Sequence, residues 1–370
     1  MRQPGFAGTG HRPPASSWPA RDAAMDVGHQ PGGALMVAKS LAGPARLTCG
    51  IAMCTCNGMP YLPQQLDSLL QQDRLPDQIA IHDDASDDGS WEYLQQWAAR
   101  QRIDVKLVRN EPRLGVVRNF EAAVQSLQTD LIFLCDQDDV WLPFKISLLS
   151  EQFEQDPALT LLHSDARLVD AQGVDMQASL FQSLGLSEEE RGWVAQGRAL
   201  DVLCRRNIVT GAAAVFRRDL LPLALPFSPD WVHDEWLAIL AAATGKMRSE
   251  PSSTVQYRQH GRNAIGMEAP GLARLVKRFR FVMALPESKF QLLRLTRVEQ
   301  LKARLEREGR LTPDLAAMLA DWLRFARFRA GLSRYLPLRI LAVLRHAVST
   351  SDYRRFGRGP LSALRDVLMR

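Results

Sequence analysis

No apolar run in this 370-residue chain reaches the ~18 residues that a membrane-crossing helix requires. The opening stretch MRQPGFAGTGHRPPASSWPARD has no apolar segment of the kind a secretory signal needs. It is rich in Pro, Gly and Ala, so residues 1–45 are expected to be a disordered leader, with Met36 a candidate initiation site. Cysteine is scarce: Cys49, Cys54, Cys56, Cys135 and Cys204 are odd in number and lack the regular spacing of a disulfide-stapled domain. Such a set points to a reducing compartment and to thiols used as small buried hydrophobes. No GxGxxG follows the first apolar run, which disfavours a dinucleotide-binding protein.

What is present is ample apolar content, 46%, and an uneven charge. Residues 271–370 carry 22 Lys and Arg against 8 Asp and Glu, a net of +14. The rest of the chain carries 24 against 33, a net of −9, so an acidic body is joined to a basic tail.

From about residue 46 short apolar runs alternate with helical patterns. LTCGIAMC (47–54), QIAIH (78–82), DVKLVRN (104–110) and LIFLCD (131–136) read as strands. Between them Leu62, Leu66, Leu69 and Leu70 recur on one helical face, as do Trp91, Leu94, Trp97 and Ala98, and then Phe120, Ala123, Val124 and Leu127. The β-α-β-α-β-α-β pattern predicts an α/β domain with a mostly parallel sheet, whose ligands sit at the carboxyl ends of the strands. The stretch up to about residue 268 is less regular and is expected to add strands and helices that complete the site.

Acids gather at those ends. HDDASDDGS (82–90) places Asp83, Asp84, Asp87 and Asp88 after the second strand. Two readings are open: turn chemistry with solvated acids, or carboxylates that accept hydrogen bonds from a nucleobase and ribose. CDQDDVW (135–141) releases three carboxylates from the fourth strand. Either these are the solvated acids of a strand-end turn, or Asp136 and Asp138 present oxygen ligands to a hard cation such as Mg²⁺ or Mn²⁺, since adjacent charges leaving a buried strand need compensation.

The ordered set TCN (55–57), HDDASDDGS, RLGVVRNFE (113–121), CDQDDVW, TGAAAVFRR (210–218), HDEW (233–236) and YRQHGRN (257–263) closely resembles bacterial family 2 glycosyltransferases over about residues 46–267. The likeness is greatest to the rhamnosyltransferase-like subgroup that builds cell-surface polysaccharides such as lipopolysaccharide. It implies the GT-A fold, a Rossmann-like mixed sheet flanked by helices, over 46–268; the charge and spacing of 269–370 add a basic helical extension. It also implies a nucleoside-diphosphate sugar donor, of dTDP or UDP type, and a divalent cation. By that resemblance Thr55, Asn57, Asp83, Asp84, Arg118, Asn119 and Asp136 line the donor nucleotide. Asp138, Asp136 and His260 hold the metal, and Arg258 and His260 meet the diphosphate. Arg262 and Asn263 share that Gly-punctured loop. Ala85 stands where the family commonly has Gly, which leaves the alignment of Asp87 and Asp88 open.

The resemblance makes Asp234 of HDEW the general base that deprotonates the acceptor hydroxyl, with Glu235 the competing candidate. Both also suit an ordinary helix N-terminus, where acids meet the positive end of the dipole. Attack and departure on opposite faces imply inversion at the anomeric carbon.

In the tail, Leu272, Leu275, Val276 and Phe279, then Val298, Leu301 and Leu305, follow helical spacing. Lys277, Arg278, Arg280, Arg294, Arg297 and Arg304 surround them. WLRFARFRAGLSRYLPLRILAVLRH reads as an interfacial helix broken near Pro337. Such helices either lie on anionic lipid or pack on the core with their Arg in water, and no nucleic-acid motif accompanies the charge. The expectation is a cytoplasmic transferase, peripheral on the inner face of a bacterial membrane, moving a sugar, L-rhamnose as first candidate, to a glycan or glycolipid hydroxyl. The alternatives are a non-catalytic sugar-nucleotide-binding or scaffold protein and a nucleotidyltransferase.

Overall fold

The computed structural model describes residues 46–261 and 287–368. The expected leader, the stripe Leu272, Leu275, Val276 and Phe279 with Lys277, Arg278 and Arg280, and the loop residues Arg262 and Asn263 lie outside the described residues.

The four predicted strands form: β1 (Cys49–Thr55), β2 (Gln78–Asp83), β3 (Asp104–Arg109) and β4 (Leu131–Cys135), all parallel in the order β3-β2-β1-β4. β1 is buried along its whole length because both of its faces are covered. Ile51 and Met53 meet Leu62, Leu66 and Leu69 of α1 (Leu62–Leu70). Ala52 and Cys54, on the opposite face, meet Phe120, Ala123 and Val124 of α3 (Val116–Gln125). α2 (Ser90–Ala98) adds Leu94 and Trp97 to the first of these cores.

Beyond β4 the sheet is mixed rather than mostly parallel. It continues through β5 (Val140–Trp141), α4 (Lys145–Gln155), β6 (Leu159–Val169), β7 (Asp175–Ser179), β8 (Ala214–Arg217) and β9 (Lys246–Arg258). The full order is β3-β2-β1-β4-β8-β6-β9-β5, with β7 on β6. β8 runs antiparallel to both β4 and β6, while β9 runs parallel to β6. Short helices α5 (Leu180–Leu184), α6 (Glu188–Ala195), α7 (Ala199–Leu203) and α8 (Leu221–Ala224) bridge these strands, the first two opened by Ser–Gln and Ser–Glu capping boxes. α9 (His233–Thr244) starts at HDEW itself, so that motif forms its first turn, the helix N-terminus that its acids suit.

The C-terminal region is helical: α10 (Glu287–Arg307), α11 (Pro313–Ala330), α12 (Leu336–Ser349), α13 (Asp352–Arg355) and α14 (Pro360–Leu368). Val298, Leu301 and Leu305 of α10 are fully buried in one core with Phe227 and Trp236 of the body. Arg304 ties the same helix to the carbonyls of Leu223, Leu225 and Pro226. The late stretch breaks after Ala330, at Gly331; Pro337 instead sits in the first turn of α12, where its missing N–H costs nothing. α12 leaves Leu338, Leu341, Leu344 and Val348 exposed. Among the described residues no helix is long and apolar enough to cross a membrane.

Candidate active site

Parallel register brings the strand ends together. Thr55 pairs with Asp83, and Met53 with Cys135, so the residues after β1, β2 and β4 leave the sheet at one edge. Beyond β2 the acids are held by the chain itself. Asp83 accepts hydrogen bonds from the Thr55 hydroxyl at 2.9 Å and from the Ser86 N–H at 2.9 Å and hydroxyl at 2.6 Å. Asp84 accepts from the Leu114 N–H at 2.7 Å, the Gly115 N–H at 2.9 Å and the Asn110 amide at 3.0 Å. Asp88 takes the N–H groups of Met59 and Ser90, while Asp87 is exposed beside Arg113. The loop therefore uses much of its acidity to fix its own shape. Ala85 adopts φ 54°, the left-handed region that glycine occupies without cost. The departure from the family's usual Gly thus falls on a strained residue, held by Asp84 before it and by Ser86, bound to Asp83, after it.

Gln137 clamps the β4 end to the β1 end: its amide accepts from the Cys56 N–H at 2.7 Å and donates to the Cys56 carbonyl at 3.0 Å. That clamp places Asp136 and Asp138 opposite Thr55. Asn119 of α3 is buried, donating to the His82 carbonyl and accepting from Asn110.

These elements enclose a cavity of about 600 Å³ whose wall includes Thr55, Asp84, Asn119, Asp136, Asp138 and Asp234. Asn57, Asp83, Arg118, Arg258 and His260 are not part of that wall. The Asn57 side chain caps the Asp87 N–H. Arg118 is half-exposed and pairs with Glu121 at 2.7 Å. The buried Arg258 guanidinium lies behind the acids, donating to the carbonyl of Asp138 at 2.8 Å and to Gln64 at 2.7 Å, with Tyr61 stacked beneath it.

Burial dominates the electrostatics, and repulsion among the acids comes second. Burial, then Asp138 and Asp234, push the Asp136 carboxyl up to about 7. Asp139, which does not line the cavity, is raised well above the usual range by burial and then by Asp138 and Asp136, although its Oδ1 accepts the Arg258 N–H at 2.9 Å. Asp136 and Asp138 present hard oxygen donors at one wall, and the repulsion that Asp138 adds at Asp136 is what a divalent cation relieves. Among the described residues, however, no three His, Cys, Asp or Glu side chains form a ready cage. His260 bonds through Nε2 to Asp138 Oδ2 at 2.7 Å and stacks on Tyr61, so it orients that carboxylate instead of completing a preformed triad with Asp136.

Asp234 sits in the first turn of α9, where Oδ2 accepts the Gly211 N–H at 2.8 Å and Oδ1 the Glu235 N–H at 2.7 Å. Burial raises its carboxyl to about 6 against the pull of those N–H groups. Glu235, also raised by burial, is engaged by Arg297 of α10 at 3.0 Å. Of the pair, Glu235 is held by a guanidinium, whereas Asp234 is held by two backbone N–H groups.

Four residues at or beside the cavity carry no role in the motifs. Gln137 lay inside a recognised motif whose acids drew attention. Tyr257 lines the cavity, and burial with the nearby acids raises its hydroxyl. His233 also lines it; it stacks on Phe120 at 3.9 Å and burial pushes its imidazole down to about 3, so the ring is neutral. Lys145 is fully buried over the Trp141 ring at 3.7 Å and donates to the Ala212 carbonyl at 2.6 Å. Burial draws its amine down to about 7, opposed by Cys135, Asp139 and Asp136. No local signal marks Lys145, which reads as a polar residue at a helix start.

Residues 50–221 match the family model described as glycosyl transferase family 2. Among similar curated proteins, an uncharacterized protein of Mycobacterium bovis is 24% identical over 217 residues, covering 57% of this chain and 58% of that protein. An uncharacterized glycosyltransferase of Nostoc is 25% identical over 210 residues, covering 55% and 62%. The chain thus matches somewhat under two thirds of either relative's length. Among solved structures, Staphylococcus aureus TarS 1-349 in complex with UDP-GlcNAc shares the fold with a TM-score of 0.54 at 14% identity, covering 87% of this chain and 88% of that one.

Proposed function

We propose, from the premise that this chain belongs to glycosyltransferase family 2 through residues 50–221, that it is an inverting transferase acting on a nucleoside-diphosphate sugar. The observation that carries this reading is the convergence of Asp84, Asp136, Asp138 and Asp234, from three separate segments, on one cavity at the carboxyl edge of the sheet.

Thr55, Asp84 and Asn119 face the nucleotide at one end, and Asp234 faces the acceptor at the other. Asp136 and Asp138 would hold a Mg²⁺ or Mn²⁺ ion together with diphosphate oxygens and water, which suits a cation that keeps few protein ligands. Bound there, the ion would neutralise charge growing on the departing diphosphate. Asp234 takes the proton of the acceptor hydroxyl as its oxygen bonds to the anomeric carbon. The bond from that carbon to the diphosphate breaks on the opposite face, and the nucleoside diphosphate leaves with the electron pair. A base that titrates near 6 is ionised at neutral pH and still basic enough to accept a proton. L-rhamnose from a dTDP donor remains the first candidate sugar by the subgroup resemblance, with a cell-surface glycan or glycolipid as acceptor. The exposed leucines of α12 among basic residues favour contact with an anionic membrane surface.

A thermal-shift screen of UDP-, dTDP-, GDP- and CMP-sugars with and without Mn²⁺ tests the proposal. One nucleotide class should raise the melting temperature in the presence of Mn²⁺, and the Asp138→Ala variant should lose that increment. No shift with any of them in the wild-type chain would overturn it.

A further inference from the structure

His233 opens α9 one residue before the proposed base, and its buried ring forms part of the cavity wall. Among the described residues His82, His163, His260 and His346 each commit Nε2 to a partner, whereas neither ring nitrogen of His233 has one. Leaving a buried polar atom unpaired is costly, so two on one ring call for an explanation. The stack on Phe120, at 3.9 Å and 16° between the planes, holds the ring without using either nitrogen.

Gly211 shows where the ring points. A Cβ there would stand 2.9 Å from His233 Nε2 and 3.7 Å from Asp234 Oδ2, so both atoms border one small space. Gly211 itself lines the cavity and leaves that space open. Phe120, against the ring, is the chain neighbour of Asn119 at the nucleotide end. His233 thus lies between the nucleotide end and the base, where the transferred sugar must sit for its anomeric carbon to meet the acceptor hydroxyl. Val117, Val209 and Val232 of the same wall have no polar side-chain atoms, and a largely apolar pocket fixes its ligand's orientation through few polar groups. Burial keeps the imidazole neutral, with one donor and one acceptor nitrogen, the complement of a hydroxyl rather than of a phosphate or a cation.

We propose that His233 binds a hydroxyl of the transferred sugar through Nε2 and so fixes the orientation of that sugar beside Asp234. Donors that lack or misplace this hydroxyl are rejected, because they leave the buried nitrogen unpaired. This rests on the transferase reading above and adds to it a residue that selects the sugar.

The test measures binding to the full chain with Mn²⁺, using UDP, dTDP and GDP, each free and as UDP-glucose, dTDP-L-rhamnose and GDP-mannose. His233→Phe keeps a ring to stack on Phe120 and deletes both nitrogens. His233→Leu deletes them in a smaller side chain should the first variant fail to fold, with melting curves on each. For the nucleotide that the wild type binds, either variant should hold the free diphosphate as before and the sugar form about tenfold or more weakly. His233→Gln, whose amide reaches towards the position of Nε2, should recover part of the loss. In the wild type, a deoxy series of that donor should contain one member weakened to a similar degree, and this member should lose nothing further in His233→Phe. An unchanged ratio of sugar-form to free-diphosphate affinity in the variants would overturn the proposal. So would a deoxy series in which no member binds the wild type more weakly than the parent. Failure of the wild type to bind any of the three nucleotides would instead sink the transferase reading.

Discussion

Asp234→Asn separates the chemical role of this carboxyl from its structural one. As the base, its loss should lower the transfer rate by ~10² to 10⁴, or ~3 to 5 kcal/mol of barrier. Stability should move differently. Burial lifts the group from its ordinary 3.8 to about 6. The folded chain therefore holds this proton more tightly than the unfolded chain does. The stability associated with it is fully present below about pH 4 and is lost as pH rises through about 6, a loss of ~3 kcal/mol by pH 8. Asparagine carries no such ionisation, but its NH₂ must face one of the two N–H groups, of Gly211 or Glu235, that the carboxylate accepts. An unsatisfied donor there costs ~1 to 3 kcal/mol. At pH 8 the two effects nearly cancel, and the variant should be equal to or up to ~2 kcal/mol more stable than the wild type. Initial rates with saturating donor and Mn²⁺, denaturant melts at pH 8 and nucleotide affinity supply the three readouts. The wild-type rate should rise about tenfold from pH 5 to a plateau above pH 7, and the variant should lack that limb. A variant retaining more than a tenth of the rate, or a flat wild-type profile, would refute the assignment.

Gly211→Ala would put a Cβ 2.9 Å from His233 Nε2 and 3.7 Å from Asp234 Oδ2. With His233 stacked on Phe120, the base helix must shift, so kcat should fall by more than tenfold for a stability loss of only ~1 to 3 kcal/mol. Asp366→Ala removes the carboxylate that both Arg329 and the Tyr353 hydroxyl bind in the buried C-terminal core. Stranding that guanidinium should cost ~3 to 5 kcal/mol in denaturant melts; a loss below 1 kcal/mol would show that water reaches it. Leu341→Glu with Leu344→Glu alters exposed positions, so the melting temperature should hold while sedimentation with anionic vesicles drops severalfold. Unchanged sedimentation would argue that α12 faces water in the cell.

The first half of the sheet was legible because β1, β2 and β4 are continuous apolar runs that end abruptly in polar residues, the signature of strands covered on both faces. The two long strands β6 and β9 were not. β6 buries His163, Ser164 and Asp165 in its middle, and distant chain meets two of them: His163 Nε2 by Ser249 at 2.7 Å and Ser164 by Thr254 at 2.6 Å. β9 is largely polar for the complementary reason. Apolar periodicity cannot register a strand whose interior pairs polar with polar. In the site the same limit applies. Acids in a row announce themselves, and Asp84, Asp136, Asp138 and Asp234 do share a cavity. That Glu235 is committed to Arg297, 62 positions away, depends on how α10 packs, and no motif encodes it.

The amide of Gln137 has a consequence for how the donor is sensed. By gripping both backbone groups of Cys56, it makes the segment beside the proposed nucleobase pocket and the segment carrying the proposed ion ligands one mechanical part. If a nucleotide that tightens the first stiffens the second, then by reciprocity the ion raises that nucleotide's affinity by the same factor, and bases that couple differently are discriminated differently. Selectivity for the nucleotide should therefore be read only in titrations where the cation concentration is held fixed.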